Sequence, residues 1–145
     1  MKKIVFLFFF AFFILFLRNC GIKDAKIDEF NLTINLPMGW IIKKNKLEGK
    51  TTVEISNAGR RVMNIAEANP SVENLNILVK ASSKSFKVLS QETITNGFGV
   101  TIQTKNRGQF LYYIQKDNKQ YCFKSAAYYR NIDLNRCLEI IKSVK

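Results

Sequence analysis

Several short stretches of the chain alternate apolar and polar residues with a period of two, a pattern that predicts half-buried β-strands. The first stretch spans residues 30–36, and its apolar positions are Phe30, Leu32, Ile34 and Leu36. Pro37 and Gly39 predict a turn directly after it, because proline fixes φ and glycine permits positive φ. Ile41 and Ile42 then resume an apolar pattern before a basic stretch that begins at Lys43.

Further strands are predicted over residues 51–56 and 62–68, and then over 86–95, 98–105, 109–115 and 119–128. The later strands are joined by residue pairs that suit tight hairpins, namely Asn96-Gly97, Arg107-Gly108 and Asp117-Asn118. Between the two groups of strands, Ser71 is a candidate N-cap for an amphipathic helix that ends near residue 85. A terminal helix is predicted after Asp133, with an apolar stripe formed by Leu134, Cys137, Leu138, Ile141 and Val144.

This order of elements predicts a single α+β domain, because runs of strands are followed by separate helices. Residues 110–114 are apolar on both faces, which is typical of a central strand covered on both sides. We therefore expect an antiparallel sheet covered by helices, in a three-layer α/β/α sandwich.

The amino terminus has a different pattern, an unbroken apolar run over residues 4–17 that follows Lys2 and Lys3. A membrane span takes about 20 apolar residues, so this shorter run fits the hydrophobic region of a signal peptide better. Leu17-Arg18-Asn19-Cys20-Gly21 follows it and resembles the lipobox of bacterial lipoproteins. The resemblance implies that Cys20 receives a diacylglyceryl group and becomes the first residue of the mature protein.

This interpretation divides the chain into a lipoprotein signal peptide (residues 1–19), a polar tether (20–29) and one α+β domain (30–145). It predicts a protein of the bacterial cell envelope that is lipid-anchored to a membrane and faces the periplasm or the exterior. Two alternatives stay open. One is an uncleaved signal anchor in which Cys20 is an ordinary thiol, and the other is a plainly secreted protein.

A second resemblance covers about residues 30–145. The opening strand ends in Leu36-Pro37-x-Gly39-Trp40, and the terminal helix ends in Ile141-Lys142-Ser143-Val144. With a middle helix and a strand meander between them, these features resemble the PsbP/DcrB-like family. The resemblance implies an α/β/α sandwich and a place among lipoproteins and binding or assembly factors. The family has no shared catalytic residues to carry over.

Composition narrows the chemistry of this chain. Its 145 residues are enough for one domain core, and they include no histidine. Imidazole acid–base catalysis and the commonest metal ligand are therefore excluded. The eleven acidic residues are scattered and the glycines are isolated, so no carboxylate pair or phosphate-binding loop stands out. We expect no enzymatic activity, no metal site and no cofactor.

Cys122 and Cys137 predict a disulfide, because an exported protein folds in a disulfide-permissive compartment. Cys122 lies in the last predicted strand, and Cys137 lies on the apolar stripe of the terminal helix. A bridge between them would fasten the helix to the strand. Two buried, reduced thiols are the alternative.

Basic residues are in excess: beyond residue 19 the chain has 20 Lys and Arg against 11 Asp and Glu, a net charge of +9. Part of this excess concentrates in one predicted loop, at Lys43, Lys44, Lys46 and Lys50. A solvated surface is the simpler interpretation, and a contact with an acidic partner protein or anionic lipid is the more specific one. Nucleic acid is not an expected partner.

A second candidate contact lies at the predicted corner between the last strand and the terminal helix. Tyr128-Tyr129-Arg130 stands there, and tyrosine and arginine are enriched at protein interfaces. The candidate partner contacts are thus Lys43, Lys44, Lys46, Tyr128, Tyr129 and Arg130.

Two functions fit these patterns. The first is a non-catalytic protein-binding or assembly module held at the membrane by its lipid, as a monomer or weak oligomer. The alternative is an immunity-type lipoprotein that neutralises a toxin delivered into the periplasm. A small-molecule binder would need a pocket that the sequence does not define.

Overall fold

The computed structural model describes residues 21–68, 87–104, 107–125 and 131–145. Most of these residues lie in strands, and one α-helix, α1 (Asn131–Lys142), follows them. The strands are β1 (Ile22–Ile27), β2 (Leu32–Pro37), β3 (Trp40–Leu47), β4 (Lys50–Asn57), β5 (Arg60–Ala68), β6 (Lys87–Ile94), β7 (Gly97–Thr104), β8 (Arg107–Lys116) and β9 (Lys119–Ser125). A 3-10 turn at Asp28–Phe30 joins β1 to β2.

Seven strands form one antiparallel sheet in the order β3-β4-β5-β9-β8-β7-β6, while β1 and β2 form a separate two-stranded ribbon. The large sheet consists of two meanders, β3 to β5 and β6 to β9. They meet where β5 pairs with β9, so that Ile65 lies opposite Phe123. This long-range pairing leaves β3 and β6 as the two edges of the sheet.

Two-residue turns set the hairpins. Glu48 and Gly49, between β3 and β4, have φ values of 50° and 77°, and Asp117 and Asn118, between β8 and β9, have 51° and 60°. Positive φ at both central residues is the type I′ geometry, whose twist matches that of paired strands. The predicted turn at Asp117-Asn118 is thus confirmed. The β6–β7 turn begins one residue earlier than predicted, because Gly97 already pairs with Ile94 in the ladder.

The ribbon and α1 cover one face of the large sheet. Their shared core includes Leu32, Ile34 and Leu36 from β2, Ile55, Ile65, Tyr112 and Phe123 from the sheet, and Cys137 and Ile140 from α1. Backbone bonds close this layer after α1: the N–H of Thr33 donates to the carbonyl of Lys145 at 3.1 Å, and the N–H of Lys145 donates back at 3.0 Å. The first and last described segments are therefore fastened side by side.

The predicted α/β/α sandwich is wrong. The described part of the fold is β-rich, with one short helix, and a β-ribbon rather than a helical layer shares the covered face with α1. The ribbon can do so because one face of β2 is wholly apolar, with Leu32, Ile34 and Leu36 at most 1% exposed. The helix predicted to begin at Ser71 lies outside the described residues.

The tether predicted over residues 20–29 also differs from the structure, because Ile22–Ile27 forms β1. This strand pairs along its whole length with β2, from Ile22 opposite Pro37 to Ile27 opposite Leu32. Of its six side chains, Ile27 is the one that is fully buried, and the rest are exposed or half-buried. Backbone hydrogen bonds to β2 hold this segment in place. Such bonds do not require alternating apolar residues, so this strand leaves no sign in the sequence.

Candidate functional site

Three of the four lysines predicted to share a loop, Lys43, Lys44 and Lys46, lie in β3, an edge strand of the large sheet. The fourth, Lys50, begins β4. Side chains alternate between the faces of a strand, so Lys43 lies on one face and Lys44 and Lys46 lie on the other. The register places Lys43 opposite Glu54 and Lys44 opposite Val53. The three lysines therefore do not form one patch. They lie on the two faces of β3, next to the edge of this strand that no described strand pairs with.

Lys44 is engaged inside the molecule. Its Nζ lies 2.9 Å from Oε1 of Glu29, in the turn between β1 and β2. This hydrogen bond lowers the pKa of the Glu29 carboxyl below its usual value. Lys43 and Lys46 are exposed and make no ion pair within the described ranges, so they are the lysines of β3 best placed for a partner.

The structure does not join Cys122 to Cys137. Cys137 lies in the core between α1 and the sheet, the same core that contains Tyr121 and Phe123. Cys122 stands between these two aromatic residues in β9, so its side chain points to the opposite face of the sheet. The sheet thus separates the two sulfur atoms, and the predicted disulfide is not present.

The environment of Cys122 makes its thiol unreactive. Burial raises the pKa of this thiol to about 11, although Lys124 and a hydrogen bond with Tyr113 act against the rise. Tyr113 is its direct neighbour across β8 and β9. A thiol with so high a pKa stays protonated at neutral pH, and the protonated form is a poor nucleophile.

Glu92, Tyr112 and Lys142 form a polar cluster that the sequence did not reveal. The hydroxyl of Tyr112 donates to Oε1 of Glu92 at 2.5 Å, and Nζ of Lys142 lies 3.1 Å from Oε2. The bond from Tyr112, with Lys142 adding to it, lowers the pKa of the Glu92 carboxyl. Burial and the bond to Glu92 raise the pKa of Tyr112 well above its usual value. The cluster ties edge strand β6 to the end of α1.

A cleft of about 360 Å³ lies beside this cluster and is lined in part by Glu92, Ile114 and Lys142. Both oxygens of Glu92 already have partners, so this carboxylate is held ionised and is poorly suited to act as a general base. The three residues are far apart in sequence and share no motif. A signal that could have led to the cluster is Gly99, because a glycine within a strand marks a close approach of another group.

Four predicted site residues, Cys20, Tyr128, Tyr129 and Arg130, lie outside the described residues. Gly21, next to Cys20, is held by the domain, because its carbonyl accepts a hydrogen bond from the N–H of Met38 at 2.8 Å. Across the described ranges, no helix is both long and apolar enough to cross a membrane. The same ranges contain no cluster of three Cys, Asp or Glu residues placed to hold a metal ion.

Comparison with known proteins identifies the fold. No family model and no curated protein matches this sequence. The structure is similar to the solution structure of cyanobacterial PsbP (CyanoP) from Synechocystis sp. PCC 6803, with a TM-score of 0.52 and 11% sequence identity. The match covers 87% of this chain and 92% of that one. The PsbP-like part of the predicted resemblance is thus confirmed at the level of the fold: the chain folds as a β-rich, PsbP-like domain.

Proposed function

We propose that the protein is a lipid-anchored lipoprotein of the cell envelope that acts as a non-catalytic protein-binding module. The observation that carries the binding role is the open basic edge at β3. This strand pairs with β4 on one side, and among the described strands none pairs with its other side. Lys43 and Lys46 project from its two faces along that edge.

An edge strand of this kind offers backbone N–H and C=O groups to an incoming extended segment. Lysines on the edge oppose pairing with neutral or basic strands, because burying an unpaired ammonium group is costly. They favour a segment that carries carboxylates, since complementary charges steer the encounter. We therefore assign β3 as the docking edge for an acidic, extended segment of a partner protein.

The chemistry of the ionisable side chains supports a non-catalytic role. Glu29 and Glu92 are paired with Lys44 and with Tyr112 and Lys142, and both carboxyls have lowered pKa values. The raised pKa of Cys122 keeps that thiol protonated. These groups stabilise the fold in the forms they adopt at neutral pH. The lipid anchor rests on the apolar run and on Cys20 in the sequence.

A crosslinking pull-down from bacterial envelopes, with the full-length protein as bait, tests the binding role. We expect one dominant acidic protein with the wild type and, at short crosslinking times, about tenfold less of it with Lys43→Glu/Lys46→Glu, because rim charges act mainly on association. The matched control is Lys87→Glu/Lys124→Glu, which makes the same charge change at exposed positions away from β3.

Equal capture by both double variants, or capture of no protein by the wild type, would contradict the proposed docking edge. The identity of a captured protein separates the two classes of partner. A component of an envelope assembly supports the binding or assembly role, and a secreted toxin supports the immunity role.

A further inference from the structure

Exposed apolar side chains gather at one end of the domain, where the chain enters it. Ile22 is 63% exposed, Met38 is 45% exposed and Ile41 is 50% exposed. Ile22 begins β1 opposite Pro37, and Met38 lies in the turn that leads into β3. We call this region, formed by Gly21, Ile22, Met38, Ile41 and Arg60, the proximal end.

The proximal end also carries positive charge. Across the sheet, Trp40 at the start of β3 lies opposite Asn57, and Asn57 lies opposite Arg60. Arg60 is exposed there, and Arg61 follows it, 55% exposed, with its guanidinium 3.9 Å from the carboxylate of Glu54. Exposed apolar side chains with a basic residue close by are a composition suited to the interface of an anionic bilayer.

The proximal end is close in sequence to the apolar run of residues 4–17. The bond between Gly21 and Met38 fixes residue 21 to the domain. Consecutive Cα atoms are about 3.8 Å apart, so a lipid on Cys20 would start one such step from the domain. Even with an uncleaved anchor, the four steps from Leu17 to Gly21 span at most about 14 Å. An anchor at either place therefore leaves only a short length of chain between the membrane and the domain.

We infer that the proximal end docks on the anionic headgroup surface of the membrane that holds the anchor, with Ile22 and Met38 in the interface. This inference rests on the proposed anchoring. Docking gives the domain one orientation. The other end of β3, at the Glu48-Gly49 turn, lies about 24 Å along the strand from Trp40, since a strand rises about 3.4 Å per residue, and it then stands farther from the membrane. The edge offered to a partner runs from the membrane outward.

Trp40 is the one tryptophan of the chain and stands between Met38 and Ile41 in the sequence. Its side chain is buried, 3% exposed, so it reports on lipid that comes close to this end of the domain and not on its own insertion. The full-length protein is reconstituted through its own anchor into vesicles of phosphatidylglycerol and phosphatidylcholine that contain brominated lipid, which quenches tryptophan at short range. We expect measurable, partial quenching of the buried Trp40 in these vesicles. In vesicles of phosphatidylcholine alone, quenching should fall, because the basic residues lose their anionic partners.

Two pairs of variants test the contacts. Met38→Ser should reduce quenching, whereas Leu89→Ser should not, although the two side chains are equally exposed at 45% and 47%. Leu89 lies on β6, at the opposite edge of the sheet and about 29 Å from β3 across six strand spacings. Arg60→Glu should lower the ratio of docked to undocked protein about fivefold, while Lys50→Glu, at the exposed start of β4 far from the proximal end, should leave it unchanged.

Flotation of the vesicles separates the two ideas under test. If the protein does not float with the vesicles, the proposed anchoring fails and this inference fails with it. If the protein floats and Trp40 is not quenched, or if Met38→Ser and Leu89→Ser behave alike, the inference alone is overturned.

Discussion

At the scale of single residues, Gly99 and Tyr112 show how tightly the middle of the sheet is packed. The two residues are direct neighbours across β7 and β8, and a Cβ atom at position 99 would overlap the ring of Tyr112. Tyr112 is fully buried, and its ring cannot move away from position 99 without breaking the hydrogen bond to Glu92. The absence of a side chain at Gly99 is therefore a condition for the bond between Tyr112 and Glu92.

We predict that Gly99→Ala lowers the free energy of unfolding by about 2 kcal/mol, the usual size of an overpacking effect. Urea unfolding followed by Trp40 fluorescence measures it. The control is Gly49→Ala, because Gly49 has a φ of 77° but no atom within 4 Å of an added Cβ. That variant should cost about 1 kcal/mol, from backbone strain alone. A smaller effect at Gly99 than at Gly49 would contradict the packing argument.

Glu92 should make stability depend on pH in a defined direction. The bond from Tyr112 lowers the pKa of Glu92 from 4.5, so the folded state binds a proton less readily than the unfolded chain. The ionised Glu92 carboxylate therefore adds to the free energy of unfolding. This stabilisation is fully present above pH 4.5, and it is lost as the pH falls through the lowered pKa of the folded state. We predict that wild type loses more stability than Glu92→Gln between pH 7 and pH 3. Tyr112→Phe should also lose less than wild type, and parallel curves for all three proteins would refute this.

At the scale of elements, the alternation of side chains along β9 places Cys122 and Cys137 on opposite sides of the sheet. Tyr121 and Phe123 face α1, and Cys122 between them faces away from it. We predict that mass mapping without reductant finds Cys122 and Cys137 as thiols. Adding reductant should leave the unfolding temperature unchanged. Cys122 should be alkylated slowly in the folded protein, because burial raises its pKa to about 11. A peptide joining Cys122 to Cys137 would contradict the register of β9.

The elements that could be predicted are those whose side chains are buried on one face. β2 shows this best, since Leu32, Ile34 and Leu36 mark it in the sequence and are buried in the structure. β1 and the basic half of β3 could not be found in this way. They lie on the ribbon and at the edge of the sheet, where backbone pairing holds a strand whose side chains stay in solvent.

The site was less predictable than the strands. Glu92, Tyr112 and Lys142 meet because β6, β8 and α1 converge, and no local pattern encodes that convergence. The lysines of β3 could be identified in the sequence as a basic cluster. Their division between the two faces of the sheet could not be predicted, because the polar sequence of this segment does not indicate a strand.

At the scale of the whole molecule, the start of the described chain is locked to its end. Besides the backbone pair between Thr33 and Lys145, the ammonium group of Lys116 donates to the carbonyls of Asn31 and Lys145, at 2.9 and 2.7 Å. The ribbon begins at Ile22, two residues after Cys20, and is thus fastened to the sheet and to Lys145. The segment that directly follows Cys20 is therefore held by backbone bonds from Gly21 onward.

The proposed function also depends on the lipid anchor at Cys20, which can be tested directly. We predict that a palmitate analogue labels wild type in growing cells and that Cys20→Ala loses the label, because Cys20 is the residue that the lipobox-like segment assigns to lipidation. Labelling is followed by gel fluorescence, and Cys20→Ala should move from the membrane fraction to the soluble one if the signal peptide is still removed. The matched control is Cys122→Ala, which should stay labelled and membrane-bound. If Cys20→Ala carries as much label as wild type, the protein is not a lipoprotein anchored at Cys20.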